Sequence, residues 1–239
     1  MISVAVAGAA GRMGTVAVTA LRDADGIEYA GGLVRDARGD DREFTSLEDL
    51  VRETKPDVLL DLTTYPASAE ISLGALRLGV RPVIGATGWS DFDKSALARE
   101  AHERQLGALL VPNFSLGAAL MMRFAAEAAR YFPTAEIVEL HHDEKKDKPS
   151  GTALLTAERI GAAGFDGTVP IHSVRLRGLV AHQEVLFGGA GETLTIRHDS
   201  FSREAFVAGM LAAVRGVMGL HELVIGMDAL VASERPPSA

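Results

Sequence analysis

There is no cysteine among the 239 residues, which excludes a disulfide framework, a thiolate metal site and a thiol nucleophile. It leaves the redox compartment open. Basic excess is also missing: Lys+Arg 24 stand against Asp+Glu 32, a formal net charge of −8. Nucleic acid and polybasic-dependent membrane surfaces need a basic face, so neither is expected as a partner. No run of about 18 apolar residues occurs, so no bilayer-spanning helix is expected. The apolar start, Met1 to Gly11, has no Lys or Arg before it, and its glycines come too early for a secretory signal. A cytoplasmic soluble protein is the expectation.

What is present is ordinary globular material. Hydrophobic residues make up 47% and charged residues 23%, far from the composition of disorder. The length allows one large domain or two small ones, each able to bury a core. No internal repeat is visible, and only the Pro236-Pro237-Ser238-Ala239 tail is of low complexity.

From residue 1 to about 112, short β-branched runs alternate with helix-period stretches, the rhythm of a doubly wound parallel sheet with crossover helices. Strands are expected at Ile2–Ala7, Glu28–Val34, Val58–Leu62, Arg81–Ile84 and Ala108–Val111. Helices are expected at Arg12–Asp23, Leu47–Arg52 behind a Ser46 cap, Ala67–Leu78 and Asp91–Arg104. After Pro112 the rhythm changes. A long helix, Leu116–Tyr131, precedes a strand, Ala135–His142, and another helix starts near Gly151. Strands are then expected at His172–Leu179, Gln183–Phe187 and Thr193–His198, the last two joined by the glycine-rich Gly188 to Glu192. This clustering suggests a separate α+β layer. A final helix, Arg203–Met218, and the run Leu223–Ile225 could belong to either half.

Gly8-Ala9-Ala10-Gly11-Arg12-Met13-Gly14 lies between the first strand and the first helix. A phosphate can approach a helix N-terminus only where side chains are absent, and the free N–H groups and dipole then hold the anion. The spacing is G-x-x-G-x-x-G rather than G-x-G-x-x-G, so a plain tight turn stays open as an alternative. The acidic residue expected about 20 positions on, for an adenosine ribose, is replaced by Val34, followed by Arg35 and Asp36. Arg35 can pair with a 2′-phosphate, so the chemistry favours NADPH over NADH, with Asp36 keeping NADH open. Gly85-Ala86-Thr87-Gly88 and Pro112-Asn113-Phe114-Ser115 follow later strands at the same sheet edge.

The stretch Glu139-Leu140-His141-His142-Asp143-Glu144-Lys145-Lys146-Asp147-Lys148-Pro149-Ser150-Gly151-Thr152-Ala153 is the most unusual in the chain. Its three lysines argue against a cation site, so no metal is expected; a solvated charged loop is the bland alternative. Functionally, Ser150-Gly151-Thr152 opens a helix able to bind a carboxylate. Lys145 can neutralise anionic charge or donate a proton, and His141 is a general acid/base titrating near neutral pH. Adjacent His141 and His142 reach one site only if the strand ends there. His102, His172, His182, His198 and His221 read individually as surface or structural. On residues alone, another two-domain NADP-dependent oxidoreductase or a non-catalytic nucleotide-sensing module stays open.

This stretch resembles the signature E-x-H-H-x-x-K-x-D-x-P-S-G-T-A of the 4-hydroxy-tetrahydrodipicolinate reductase (dihydrodipicolinate reductase) family. Gly8 to Gly14, Gly85 to Gly88, Pro112 to Gly117 and Arg197-His198 to Ser202 support the resemblance. It implies a Rossmann-type doubly wound parallel sheet with a smaller α+β substrate-binding and oligomerisation domain, and NAD(P)H-dependent reduction of 4-hydroxy-tetrahydrodipicolinate in lysine and diaminopimelate synthesis. It implies a dinucleotide-binding domain of residues 1–114 and 216–239, and a substrate-binding, tetramerisation domain of residues 115–215, in a homotetramer. By this resemblance His141 is the acid/base and Lys145 the proton donor, while His142, Lys145, Ser150, Gly151 and Thr152 hold the carboxylates of a small dicarboxylate substrate. Gly8, Ala9, Ala10, Gly11, Arg12, Met13, Gly85, Ala86, Thr87, Val111, Pro112, Asn113 and Phe114 would line the cofactor. The chain departs from the pattern at Val34, usually acidic, at Ala86, usually threonine, and at Lys148, usually small.

Overall fold

The computed structural model describes residues 1–37, 39 and 42–227. The first strand, β1 (Ile2–Ala7), is followed by α1 (Arg12–Asp23), β2 (Ile27–Leu33), β3 (Glu43–Phe44), α2 (Leu47–Thr54), β4 (Val58–Asp61), α3 (Ala67–Arg77), β5 (Arg81–Ile84), α4 (Asp91–Arg104) and β6 (Ala108–Leu110). Then come α5 (Leu116–Ala128), β7 (Thr134–His141), α6 (Gly151–Ala162), β8 (Ile171–Arg175), β9 (Ala181–Gly189) and β10 (Glu192–Ser200), before α7 (Val207–Gly216) and β11 (Leu223–Ile225). Two compact units result: residues 1–114 with the chain from Phe206 onward, and Ser115–Ala205. Among the described residues no helix is long and apolar enough to cross a membrane.

The first unit is a seven-stranded sheet in the order β11-β6-β5-β4-β1-β2-β3, parallel throughout. Its inner strands are apolar along their length because helices cover both faces: Val4 to Ala7 and Val58 to Leu60 are fully buried. The order reverses between β1 and β4, the switch point at which such sheets place their ligands. β3 escaped the sequence reading, being only two residues long. Asp61 ends β4 as a fully buried carboxylate, and four donors satisfy it: the Thr63 N–H and the hydroxyls of Thr63, Ser68 and Ser72. That network pins the loop after β4 onto the start of α3.

The second unit is a four-stranded sheet in the order β10-β9-β7-β8. β7 runs parallel to β8 and antiparallel to β9, which forms a hairpin with β10. The hairpin turn is Ala190-Gly191, and Gly191 adopts φ +81°, a left-handed conformation that glycine takes without strain. Alternation along β7 turns Ala135, Ile137 and Glu139 to one face. There the two apolar residues pack with Val185 and Phe187 against Met121, Met122 and Ala125 of α5 and Ala153 and Ile160 of α6.

Several boundaries differ from expectation: α5 ends at Ala128 rather than Tyr131, β8 ends at Arg175 rather than Leu179, and β9 is longer at both ends than Gln183–Phe187. The helix expected at Arg203–Met218 is broken into 3₁₀ turns, Arg203–Phe206 and Val217–Gly219, flanking α7. The chain rejoins the first unit at Phe206, ten residues before the expected Gly216. The reason is packing. Gly209 of α7 lies so close to the Phe114 carbonyl that a Cβ would overlap it, and Met210, Ala213 and Val214 are buried. β11 then adds beside β6, with Leu223 paired to Ala108.

Candidate active site

In the first unit every strand is parallel, so the loops after β1, β2, β4, β5 and β6 share one sheet edge. Gly8 leaves β1 at φ +78°, and its missing Cβ would sit 3.1 Å from the Leu62 carbonyl oxygen. Gly14 is tighter still. A Cβ there would overlap the Gly8 carbonyl and lie 2.7 Å from the Ala9 oxygen. The first turn of α1 has no side-chain cap and no acidic residue, whereas Ser46, Ser90, Ser115 and Ser150 cap α2, α4, α5 and α6 with their hydroxyls. An uncapped helix start bearing Arg12 fits a phosphate.

The other cofactor candidates divide by exposure. Ala10, Gly11, Arg12, Thr87 and Pro112 are exposed, and Gly8, Met13, Gly85 and Asn113 are half-buried. Ala9, Ala86, Val111 and Phe114 are buried. A Cβ on Gly32 would meet the Ala9 methyl at 2.5 Å, and one on Gly85 would meet the Phe114 ring at 2.7 Å, so Ala9 and Phe114 pack the loops into the sheet edge. Val34 is buried, and its N–H donates to Phe44 O at 2.8 Å; Arg35 and Asp36 beyond it are exposed.

In the second unit β7 ends at His141, the condition under which His141 and His142 can serve one site. The His141 Nδ1 lies 2.5 Å from Oε2 of Glu139, a fully buried side chain. Burial pushes the His141 pKa down, Glu139 pushes it up, Lys145 and Arg175 push it down again, and the balance lies below the ordinary value. Burial raises the Glu139 carboxyl too, but hydrogen bonds from Arg175, Ser173 and His141 outweigh it and leave it at about 2. An ionised Glu139 can only accept, so Nδ1 of His141 carries a proton and Nε2 is the nitrogen left for substrate chemistry.

Lys145 is half-buried and forms a bidentate pair with Asp147, Nζ to the carboxylate oxygens at 2.8 and 2.7 Å. At the start of α6, the Ser150 hydroxyl accepts from the Ala153 N–H at 3.2 Å, and the Ser150 N–H donates to Glu139 at 3.3 Å. Ser150 is buried, so its part in an anion site is to shape the helix start, with Gly151 exposed and Thr152 half-buried beside it. His142 is exposed at the loop's beginning.

Two residues in this cluster had no role in the sequence reading. Glu139 sits on the core-facing register of β7, and a carboxylate in that register is a legible signal. Arg175, 36 residues further on, forms a fork with both Glu139 oxygens at 2.8 and 2.7 Å. No local pattern points to that pairing. His198, read as surface or structural, is half-buried; its Nε2 lies 3.0 Å from the Ser115 hydroxyl, and its ring fills the space that a Cβ on Gly117 would need. His182 is buried and pairs with Asp199 at 2.7 Å.

The depressed carboxyl of Glu139 has a consequence for stability. Its folded value, about 2, lies below its ordinary 4.5. The stabilisation is therefore complete above the ordinary value and is lost as pH falls through the interval between the two. The expected result is a urea midpoint for the second unit that drops across this interval in the wild type, and drops less in Glu139→Gln.

A Rossmann-type parallel sheet with a glycine-rich, uncapped helix start at its carboxyl edge, and a separate α+β unit bearing His141 and Lys145 beside a helix N-terminus, have the make-up of a nucleotide-dependent oxidoreductase. The chain belongs to the dihydrodipicolinate reductase family: the family models "Dihydrodipicolinate reductase, N-terminus" and "Dihydrodipicolinate reductase, C-terminus" match residues 2–114 and 117–231. It is 47% identical over 262 aligned residues to the 4-hydroxy-tetrahydrodipicolinate reductase of Geobacillus kaustophilus strain HTA426, covering 95% of this chain and 98% of that protein. To the enzyme of the same name from Halalkalibacterium halodurans it is 46% identical, covering 97% of this chain and 100% of that protein. Among solved structures, dipicolinate-bound dihydrodipicolinate reductase from Paenisporosarcina sp. TG-14 superposes with a TM-score of 0.86 at 40% identity, covering 96% of this chain and 99% of that one.

Proposed function

We propose that the chain reduces 4-hydroxy-tetrahydrodipicolinate to tetrahydrodipicolinate, with loss of water, at the expense of NAD(P)H, in lysine and diaminopimelate biosynthesis. The observation that carries the reading is the gathering of His141 and the α6 start on one buried carboxylate, Glu139, with the Lys145 backbone tied to the same carboxylate through Arg175. Loss of the ring hydroxyl with a hydrogen of the neighbouring carbon, as water, leaves a conjugated imine, to which the nicotinamide, when bound, would supply a hydride. The ring carbon that then holds the electron pair needs a proton, and Lys145 supplies it with His141 assisting through Nε2. Lys145 exchanges Asp147 for a substrate carboxylate. His142 and the N–H groups of Gly151 and Thr152, at the positive end of α6, hold the substrate's negative charge. Gly8 to Met13, Gly85 to Thr87 and Val111 to Phe114 hold the dinucleotide.

The assay follows NADPH absorbance with enzymatically generated 4-hydroxy-tetrahydrodipicolinate. Turnover is expected; cofactor binding without turnover would favour the nucleotide-sensing module instead.

NADPH is the favoured cofactor. Val34 offers no acceptor to a ribose hydroxyl, and the exposed Arg35 beside it supplies a cation for a 2′-phosphate. The wild type is expected to bind NADPH more tightly than NADH. Arg35→Ala should narrow that gap by about tenfold, the worth of a single charge-assisted contact. Tighter NADH binding by the wild type in a titration of both cofactors would reverse this assignment.

The working form is a homotetramer in the cytoplasm. Support for assembly comes from the face of the four-stranded sheet opposite α5 and α6, where alternation places Val138, Leu140, Val174 and Leu186. Copies meeting there would cover it, and light scattering reads the state directly.

A further inference from the structure

Arg175 uses all of its N–H groups. Nε donates to the Lys145 carbonyl at 3.3 Å, Nη1 to Glu139 at 2.8 Å and to the Val174 carbonyl at 2.7 Å, and Nη2 to Glu139 and to the Asp147 carbonyl, both at 2.7 Å. Its side chain is 5% exposed and that of Glu139 0%. Glu139 in turn accepts hydrogen bonds from the His141 Nδ1–H and the Ser150 N–H. A buried ion pair is a poor device for stability alone, because taking both charges out of water offsets most of their attraction. What sets this one apart is the choice of secondary partners. Each belongs to a different piece of the acid–base cluster: the end of β7, the loop bearing Lys145, and the first turn of α6.

We propose that the Arg175–Glu139 pair is the positioning device of the reaction, holding His141, the Lys145 loop and the carboxylate-binding start of α6 as one body. Neither residue touches substrate; both act through the groups they hold. Glu139 selects the His141 tautomer that leaves Nε2 free. Arg175 grips the backbone on both sides of Lys146, so the Lys145 ammonium starts from a fixed root although its own tip is free to trade Asp147 for a substrate carboxylate. Effects on rate of this kind exceed what the contacts contribute to folding, since small displacements of a proton donor cost far more in rate than in stability.

The kinetic part rests on the reductase reading; the geometric part does not. Glu139→Gln tests both, keeping shape and removing charge. The charged groups facing His141 are Glu139 from its own strand, Arg175 from β8 and Lys145 from the loop, while β9 presents Ala181 at that level. Losing the Glu139 charge therefore moves the His141 titration, followed by imidazole NMR, to lower pH. The limb of the kcat–pH profile that reports His141 should move with it. We expect kcat to fall by roughly 10- to 100-fold, with the NADPH dissociation constant unchanged. Arg175→Lys keeps the charge and loses the fork, and should lower kcat comparably with little movement of the His141 titration. If Glu139→Gln does not fold, Arg175→Lys decides. A Glu139→Gln variant with kcat within twofold of wild type, or with an unmoved His141 titration, overturns the proposal, as does an Arg175→Lys variant with wild-type kcat. Should the wild type show no turnover at all, the reductase reading falls, and the His141 titration alone decides the positioning claim.

Discussion

Lys145→Ala and His141→Ala are each expected to lower kcat by at least ~100-fold while the dissociation constant for NADPH stays within about twofold of wild type. Both residues belong to the unit Ser115–Ala205, whereas the glycine-rich turn proposed for the dinucleotide belongs to the other. In the proposed reaction Lys145 supplies both the cation for a substrate carboxylate and the proton for the reduced ring, so its loss would remove ground-state binding and proton supply together. KM for the dicarboxylate should therefore rise in Lys145→Ala. His141→Ala removes Nε2 and also leaves the buried Glu139 with one donor fewer. Because the Arg175 fork and the Ser150 N–H remain, the second unit should still fold. Steady-state kinetics with a parallel fluorescence titration of NADPH separates the outcomes: equal loss of cofactor affinity in both variants would assign them a structural role.

Gly14→Ala is expected to destabilise the first unit by at least about 2 kcal/mol and to weaken NADPH binding at least tenfold. Helix propensity alone predicts the opposite sign, since alanine is better than glycine in a helix by about 1 kcal/mol. Packing decides against it. The new Cβ would overlap the Gly8 carbonyl and crowd the Ala9 carbonyl, and these are backbone atoms of the very turn offered to the phosphate. Relief requires moving that turn. Gly151→Ala is the contrasting case: a Cβ there meets nothing within 4 Å, so stability should be unchanged or slightly raised. Its methyl would project where a substrate carboxylate approaches α6, and KM for the dicarboxylate should rise by about tenfold with NADPH affinity intact. Chemical denaturation of both variants, read beside their kinetics, checks the pair. A Gly14→Ala protein as stable as wild type would show that the turn yields easily.

Much of this protein is legible in order along the chain because the responsible forces are local. β1, the turn from Gly8 and α1 follow from an apolar run, glycines and a period of 3.6, all within 23 residues. The Ser46 cap and the helix start at Ser150 are likewise contacts three residues apart, as are the Ser90 and Ser115 caps, which the structure added. The acid–base segment stands out because lysines and histidines crowd a strand end and a helix start. Val34 and Arg35 could be weighed against a ribose by counting from Gly14.

What sequence alone determined, then, is the alternation of strands and helices in the first unit, together with the two helix starts proposed as anion sites and the residues proposed to move a proton. Tertiary structure alone decided which distant groups hold those residues. Arg175 meets Glu139 because β8 pairs parallel to β7 with Arg175 opposite His141, a register that no local periodicity encodes. The return of the chain at Phe206 and the seat of β11 beside β6 depend on the close approach of Gly209 to Phe114 and on pairing across more than a hundred residues. Local propensity sets where an element begins; burial of side chains from far along the chain sets what it lies against. With no cysteine in the chain, the chemistry proposed for this site falls to His141 and Lys145, and their proposed positioning to Glu139 and Arg175.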